Sequence, residues 1–139
     1  IEIGKRYNLE KMAERPDLGS SLAIYNFIHP KVRDLEVEEA QLLLMNQNFR
    51  LIKHVKLSVG GITETAVDVR RIMREAVLNN ATILALSHNH PSNSPKPSRA
   101  DDTLTHQIKA ACDLMRIFFM DHVIVADGSF YSYHDKGKL

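Results

Sequence analysis

ATILALSHNHPSNSPKPSRADD, residues Ala81 to Asp102, holds a strand, a loop and the start of a helix in one stretch. Ala81 to Leu86 is a short, nearly continuous apolar run and reads as a buried strand. Past its end stand His88 and His90. In extended backbone, residues two apart point to the same side, so the two imidazoles can converge. Pro91, Pro95 and Pro97 stiffen the loop that follows and reduce the entropy lost on holding it in place. Ser98-Arg-Ala-Asp101 then has the form of a helix start. Two imidazoles and a carboxylate suit zinc, with a fourth position left for water. The structural alternative is that Asp101 favours the helix N-terminus through the macrodipole and Ser98 is its cap. The two roles are compatible, since a carboxylate at a helix start is held in a fixed orientation. Capping alone does not account for three ligand-type residues so close together.

Upstream, Val69, Ile72, Met73, Ala76 and Val77 recur at helical spacing within Thr65–Asn80, and Asn79-Asn80 provides the stop. Arg70, Arg71 and Arg74 lie between them and read as a solvated face. Before this helix, Gln41 to Met45 is a second buried strand and Arg50 to Val59 its hairpin partner. Asn46-Gln-Asn48 makes the turn, since asparagine tolerates left-handed backbone angles, and Gly60-Gly61 ends the second strand. Strand, helix, strand at this spacing predicts an α/β fold, a mixed sheet with helices packed across it. Glu38 and Glu39 stand side by side at the entry to the first strand. Either they are a solvated acidic pair, or one of them faces a site built at that strand's end. Farther back, Leu22, Ile24, Tyr25, Phe27 and Ile28 fit a short amphipathic helix ending before Pro30, and residues 1–18 read as irregular, with Pro16 breaking any helix begun near Leu9.

Downstream, Leu104, Ile108, Ala111, Cys112 and Met115 continue the helix begun at Ser98, with Cys112 a small core residue. Ile117 to Met120 and His122 to Val125 are apolar runs suited to core strands. Asp127-Gly128 is a strong hairpin signal before the return strand Phe130–Tyr133. His122 is either a further ligand or a buried histidine bonded to Asp121, the second being the safer reading. His29, His54, His106 and His134 show no partner spacing.

The bulk properties narrow the function classes. A chain of 139 residues, 44% hydrophobic and 25% charged, is one ordinary globular domain. No apolar run approaches the length of a membrane span. The single Cys112 makes a reducing cytosol the default compartment. A net charge of +1 makes no strong case for nucleic acid. The start at Ile1 is compatible with a fragment.

Taken together, an upstream Glu, His88-x-His90, ten residues, then Asp101, with Ser98 three positions before it, resemble the JAMM metalloprotease signature. Within that superfamily, His88-Asn-His-Pro-Ser92 followed by Pro97-Ser98-x-x-Asp101 resembles the MPN/JAB-type domain of the RadC family. Gly60, Arg70, Asp121-His122 and Asp127-Gly128 before Ser132 extend the likeness from about Asp34 to the C-terminus. The resemblance implies an MPN/JAMM, cytidine-deaminase-like architecture over residues 34–139, with residues 1–33 as an N-terminal extension carrying one short helix. It implies Zn²⁺ held by His88, His90 and Asp101. The frame of Glu38-Glu-Ala-Gln followed by an apolar strand implies Glu38 rather than Glu39 as the general base. Ser98 becomes the oxyanion donor. The expected activity is zinc-dependent hydrolysis of a peptide or isopeptide bond in an unspecified protein substrate. The alternatives are a DNA-repair-associated role of the RadC type and a non-catalytic metal-binding interaction module. Asn93 stands where the family commonly has Gly, and Val69-Arg70-Arg71 replaces a Pro-Arg-Glu helix start. Nothing here has the glycine-bearing pattern of the helix-hairpin-helix segment that RadC proteins typically carry. Asp102, the rival to Asp101, lies outside the spacing.

Overall fold

A computed structural model describes residues 11–59 and 67–139. Gly60-Gly61, the predicted helix start at Thr65 and the position of Leu9 lie outside the described residues. The elements are α1 (Ser21–Val32), β1 (Glu39–Met45), β2 (Leu51–Val59), α2 (Val69–Leu78), β3 (Ile83–Asn89), α3 (Arg99–Met115), β4 (Phe118–Ala126) and β5 (Ser129–Ser132). They form a five-stranded sheet in the order β2-β1-β3-β4-β5. β1 pairs antiparallel with β2 and β3, β4 pairs antiparallel with β5, and β3 and β4 are parallel. The mixed α/β layer expected from the strand and helix spacing is therefore present. Only a long crossover can join parallel neighbours, and α3 supplies it.

β1 and β3 are buried along their whole length because both faces of the sheet are covered. Leu42 and Leu44 face one core with Leu84, Leu86 and the buried faces of α2 and α3, including Ile72, Ala76, Leu104, Ile108 and Cys112. Their neighbours Leu43 and Met45 face the other core, with Ile83, Ala85, Val123 and Val125, under Ile24, Ile28 and Val32 of α1. A continuous apolar run thus serves two layers at once.

Three local expectations need correction. α1 runs through Pro30 to Val32. Its buried stripe is Ile24, Ile28 and Val32; Pro30 leaves out one amide donor, that to the Asn26 carbonyl, yet the helix continues to bury Val32, and Leu22 is exposed. The two apolar runs after α3 are one strand, because Asp121 between them is satisfied in the core. Its carboxylate accepts from Ser132 Oγ at 2.6 Å and from the His134 amide at 3.0 Å. In the turn before β2, the left-handed residue is Phe49 (φ 61°). Asn46 acts instead through its side chain, which accepts from the amides of Asn48 and Arg50. The two-residue Asp127-Gly128 turn joins β4 and β5 as expected, with Gly128 at φ 77°.

The outer strand β2 is bordered by two arginines. Arg15 donates to the carbonyls of Leu51 and Ile52 at 3.1 and 3.2 Å, and Arg71 to those of Leu57 and Lys56 at 3.1 and 3.4 Å. Arg71 is thus a structural donor, whereas Arg70 and Arg74 are solvated as expected. Among the described residues no helix is long and apolar enough to cross a membrane.

Candidate metal centre

β3 carries His88, fully buried, to the end of the sheet. One residue past the strand, the His90 amide donates to Val125 O at 2.8 Å, so the chain stays beside β4 and His90 stays next to His88. Asp101 reaches the same place from the first turn of α3. That turn is fixed by a capping box: the Asp101 amide donates to Ser98 Oγ at 3.1 Å and the Ser98 amide to Asp101 Oδ2 at 2.8 Å. Asp101 therefore both supports the helix start and faces the cluster, as the sequence allowed.

The three side chains converge. The Nε2 atoms of His88 and His90 are 3.0 Å apart, His88 Nε2 is 3.2 Å from Asp101 Oδ1, and His90 Nε2 is 3.5 Å from Oδ2. One ligand atom from each lies within 4.8 Å of the others. Burial acts to protonate Asp101, but hydrogen bonding to His88 and His90 holds its carboxyl far below the usual range. Hydrogen bonding to Asp101 raises the His90 pKa against the opposing effect of burial. The cluster thus calls for positive charge, which a proton or a metal ion can supply. His90 Nδ1 is 3.0 Å from Ser94 O. A carbonyl only accepts, so Nδ1 carries the hydrogen and Nε2 keeps its lone pair for a ligand.

Glu38 immediately precedes β1, and its Oε1 lies 3.8 Å from His90 Nε2. Glu39 turns to the other side of the strand, where it meets Lys56 Nζ at 3.2 Å and Gln41 Nε2 at 3.4 Å. Of the two acids that the residues left open, Glu38 is the one at the cluster. Ser98 sits beside Asp101 as a cap. Its oxygen accepts from an amide, which leaves the hydroxyl hydrogen available to donate. Asp102 is engaged elsewhere, accepting from Tyr133 Oη at 2.6 Å. A shallow cleft of about 40 Å³ runs along His90, Asn89 and Pro91, with Arg33, Leu35 and Asp127 among its other walls; of the cluster only His90 lines it. In the loop above it Asn93 takes φ 38°, the left-handed conformation that glycine otherwise fills.

One contribution escaped the sequence reading, and another was given the wrong partner. Asn89, the middle residue of His-x-His, is buried; its Oδ1 accepts from the Glu39 amide at 2.7 Å and its Nδ2 donates to Val37 O at 3.0 Å. It thereby holds the backbone on both sides of Glu38. The second is His122, whose ring does not bond the Asp121 carboxylate. Its Nε2 is 2.8 Å from His88 Nδ1, and its Nδ1 is 2.6 Å from Thr105 Oγ1. Adjacent strand residues point to opposite faces, so Asp121 and His122 serve different layers. Burial, then the charge of His88, push the His122 pKa well below its ordinary value. His122 is not part of the three-residue cluster.

A mixed sheet with a buried His-x-His pair at a strand end, and an aspartate in the next helix's first turn, defines an α/β domain built around a potential metal site. This chain belongs to the RadC-like JAB domain family, whose model matches residues 18–138. It is 38% identical over 140 residues to a UPF0758 protein of Porphyromonas gingivalis, covering 100% of this chain and 62% of the relative. A UPF0758 protein of Haemophilus ducreyi is 40% identical over 140 residues, covering 97% and 60% respectively. One from Flavobacterium johnsoniae is 35% identical over 137 residues, covering 99% and 60%. The chain thus spans about three-fifths of the length of these relatives. The mixed sheet flanked by helices is consistent with the JAB/MPN fold.

Proposed function

We propose that this chain is a zinc-dependent hydrolase that cleaves a peptide or isopeptide bond. The observation that carries the reading is the convergence of His88 Nε2, His90 Nε2 and the Asp101 carboxylate, with the Glu38 carboxylate at their edge. Two imidazoles and one carboxylate are the donor set of an open catalytic zinc site, and the His90–Ser94 bond turns a lone pair toward it. Zinc held there would lower the pKa of bound water from about 15.7 to about 7 and so supply a nucleophile near neutral pH.

The chain's own groups do the rest. Glu38, beside His90, takes a proton from the attacking water. It returns that proton to the departing amine as the carbon–nitrogen bond breaks. The Ser98 hydroxyl donates to the substrate carbonyl oxygen as negative charge develops there; loss of one such donor costs about 10²–10³ in rate. A net charge of +1 gives nucleic acid no comparable support. Cys112, buried and single, suits a reducing cytosol.

Metal analysis of the purified protein is expected to find about one zinc per chain, in the stoichiometry of a single catalytic site. His88→Ala combined with His90→Ala should lose it, and full zinc occupancy in that variant would end the ligand assignment. Glu38→Gln should keep the metal and abolish hydrolysis of peptide and isopeptide libraries. Unchanged hydrolysis would remove Glu38 from the mechanism.

A further inference from the structure

We infer that Thr105 and His122 act as positioning residues that set the tautomer of His88, directing its Nε2 lone pair into the cluster. The inference rests on the metal-site reading above and concerns residues outside the ligand set.

The direction of the hydrogen bonds follows from one end. Thr105 Oγ1 lies 2.9 Å from the backbone oxygen of Asp101, one helical turn back, and 2.6 Å from His122 Nδ1. A carbonyl oxygen has no hydrogen, so the single hydroxyl hydrogen of Thr105 goes to Asp101 O. Thr105 Oγ1 must then accept from His122, which places a hydrogen on His122 Nδ1 and a lone pair on its Nε2. That lone pair accepts from His88 Nδ1 at 2.8 Å. With one hydrogen fixed on Nδ1, His88 turns Nε2 to the cluster, 3.2 Å from Asp101 Oδ1 and 3.0 Å from His90 Nε2, where it meets a metal ion or, without one, a proton held against Asp101. The reverse direction would leave Thr105 Oγ1 and Asp101 O facing each other with no hydrogen between them. It would also put a hydrogen on His88 Nε2, where a metal could not bind.

The surroundings hold this arrangement. Thr105 is buried, and His88 and His122 are fully so. Tyr133 stacks on His122 with centroids 4.9 Å apart and planes within 9°, and its own hydroxyl is tied to Asp102. The ring therefore cannot turn over without displacing a packed aromatic. The chain begins at the backbone of Asp101 and returns to its carboxylate, so the helix turn that supplies one ligand also orients another. His90 obtains the same tautomer from the Ser94 carbonyl in the loop, a separate device for the second imidazole.

The test uses the intact chain and three variants: Thr105→Val, which keeps the shape but cannot accept; Thr105→Ser, which restores the hydroxyl; and His122→Phe. Two-bond ¹⁵N–¹H correlation spectra of the metal-free and zinc-loaded protein should show His122 in the Nδ1–H tautomer in both states. Chelator competition should show zinc binding weakened about 10–100-fold in Thr105→Val and His122→Phe, with Thr105→Ser close to wild type. Thermal unfolding identifies any variant that fails to fold. If His122→Phe does not, the Thr105 pair decides. Wild-type His122 in the Nε2–H tautomer, or a folded Thr105→Val with unchanged zinc affinity, overturns the inference. Should the wild type bind no zinc, the metal-site reading fails, and the metal-free spectrum still decides the relay.

Discussion

Asn89 spends both ends of its amide on the strand beside it, and the residue it brackets is Glu38. With the backbone clamped on both sides, the reach of the Glu38 carboxylate toward His90 is fixed. Asn89→Ala is therefore expected to retain zinc while lowering the turnover of any hydrolysed substrate by roughly 10²-fold, the size of effect that small misplacements of reacting groups produce. Parallel metal analysis and kinetics check this; an unchanged rate, or lost metal, would show that Asn89 serves something else. The ligand-type residues were legible because their chemistry and spacing are local: two histidines on one side of a strand, and an aspartate at a helix start. Asn89 and Thr105 were not, and His122 was legible as a buried histidine but without its partners. Each acts through partners far away in sequence, and asparagine or threonine carries no spacing signature of its own. Glu38 could be separated from Glu39 by the family frame, while the residues alone left both open.

At the scale of the element, α3 joins the candidate metal site to the core and ends under strain. Its C-cap Arg116 takes φ 56°, ψ 41°, a left-handed conformation that side chains disfavour. Arg116→Gly should raise stability by about 1 kcal/mol, measured by chemical denaturation; a loss would mean the arginine side chain contributes more than its backbone costs. One turn back, burial pushes the Cys112 thiol up to about 12. The folded state then holds its proton while the unfolded thiol ionises near pH 9. Stability from this group is intact below pH 9 and falls as pH rises towards 12, by at most about 1.4 kcal/mol per unit. Cys112→Ala, though less stable overall, should lack that part of the alkaline slope in denaturation series at pH 8, 10 and 11, and equal slopes would refute the assignment. Element types were readable from periodicity; their limits were less so. Pro30 signals a helix end, yet Val32 still had a core position to fill. Asp121 looks like a break between strands, yet Ser132 and the His134 amide satisfy it.

Across the whole molecule, the order of the strands was the least legible feature. The sequence supports strands alternating with helices, but not that β3 would sit between an antiparallel β1 and a parallel β4. That placement depends on pairings between distant segments. It brings Glu38, His88 and the Val125 carbonyl to one end of the sheet. The arginines along β2 bear on a different matter, the behaviour of many copies together. A bare strand margin invites a neighbouring chain to add its own backbone, and repeated addition is how soluble proteins turn into fibres. Here the carbonyls at both ends of that margin are already occupied by guanidinium groups, and a newcomer would have to displace them. Light scattering of the Arg15→Ala, Arg71→Ala double variant should show association that grows with concentration, where the parent chain shows less. Equal scattering from both would mean the arginines are not what keeps this margin closed.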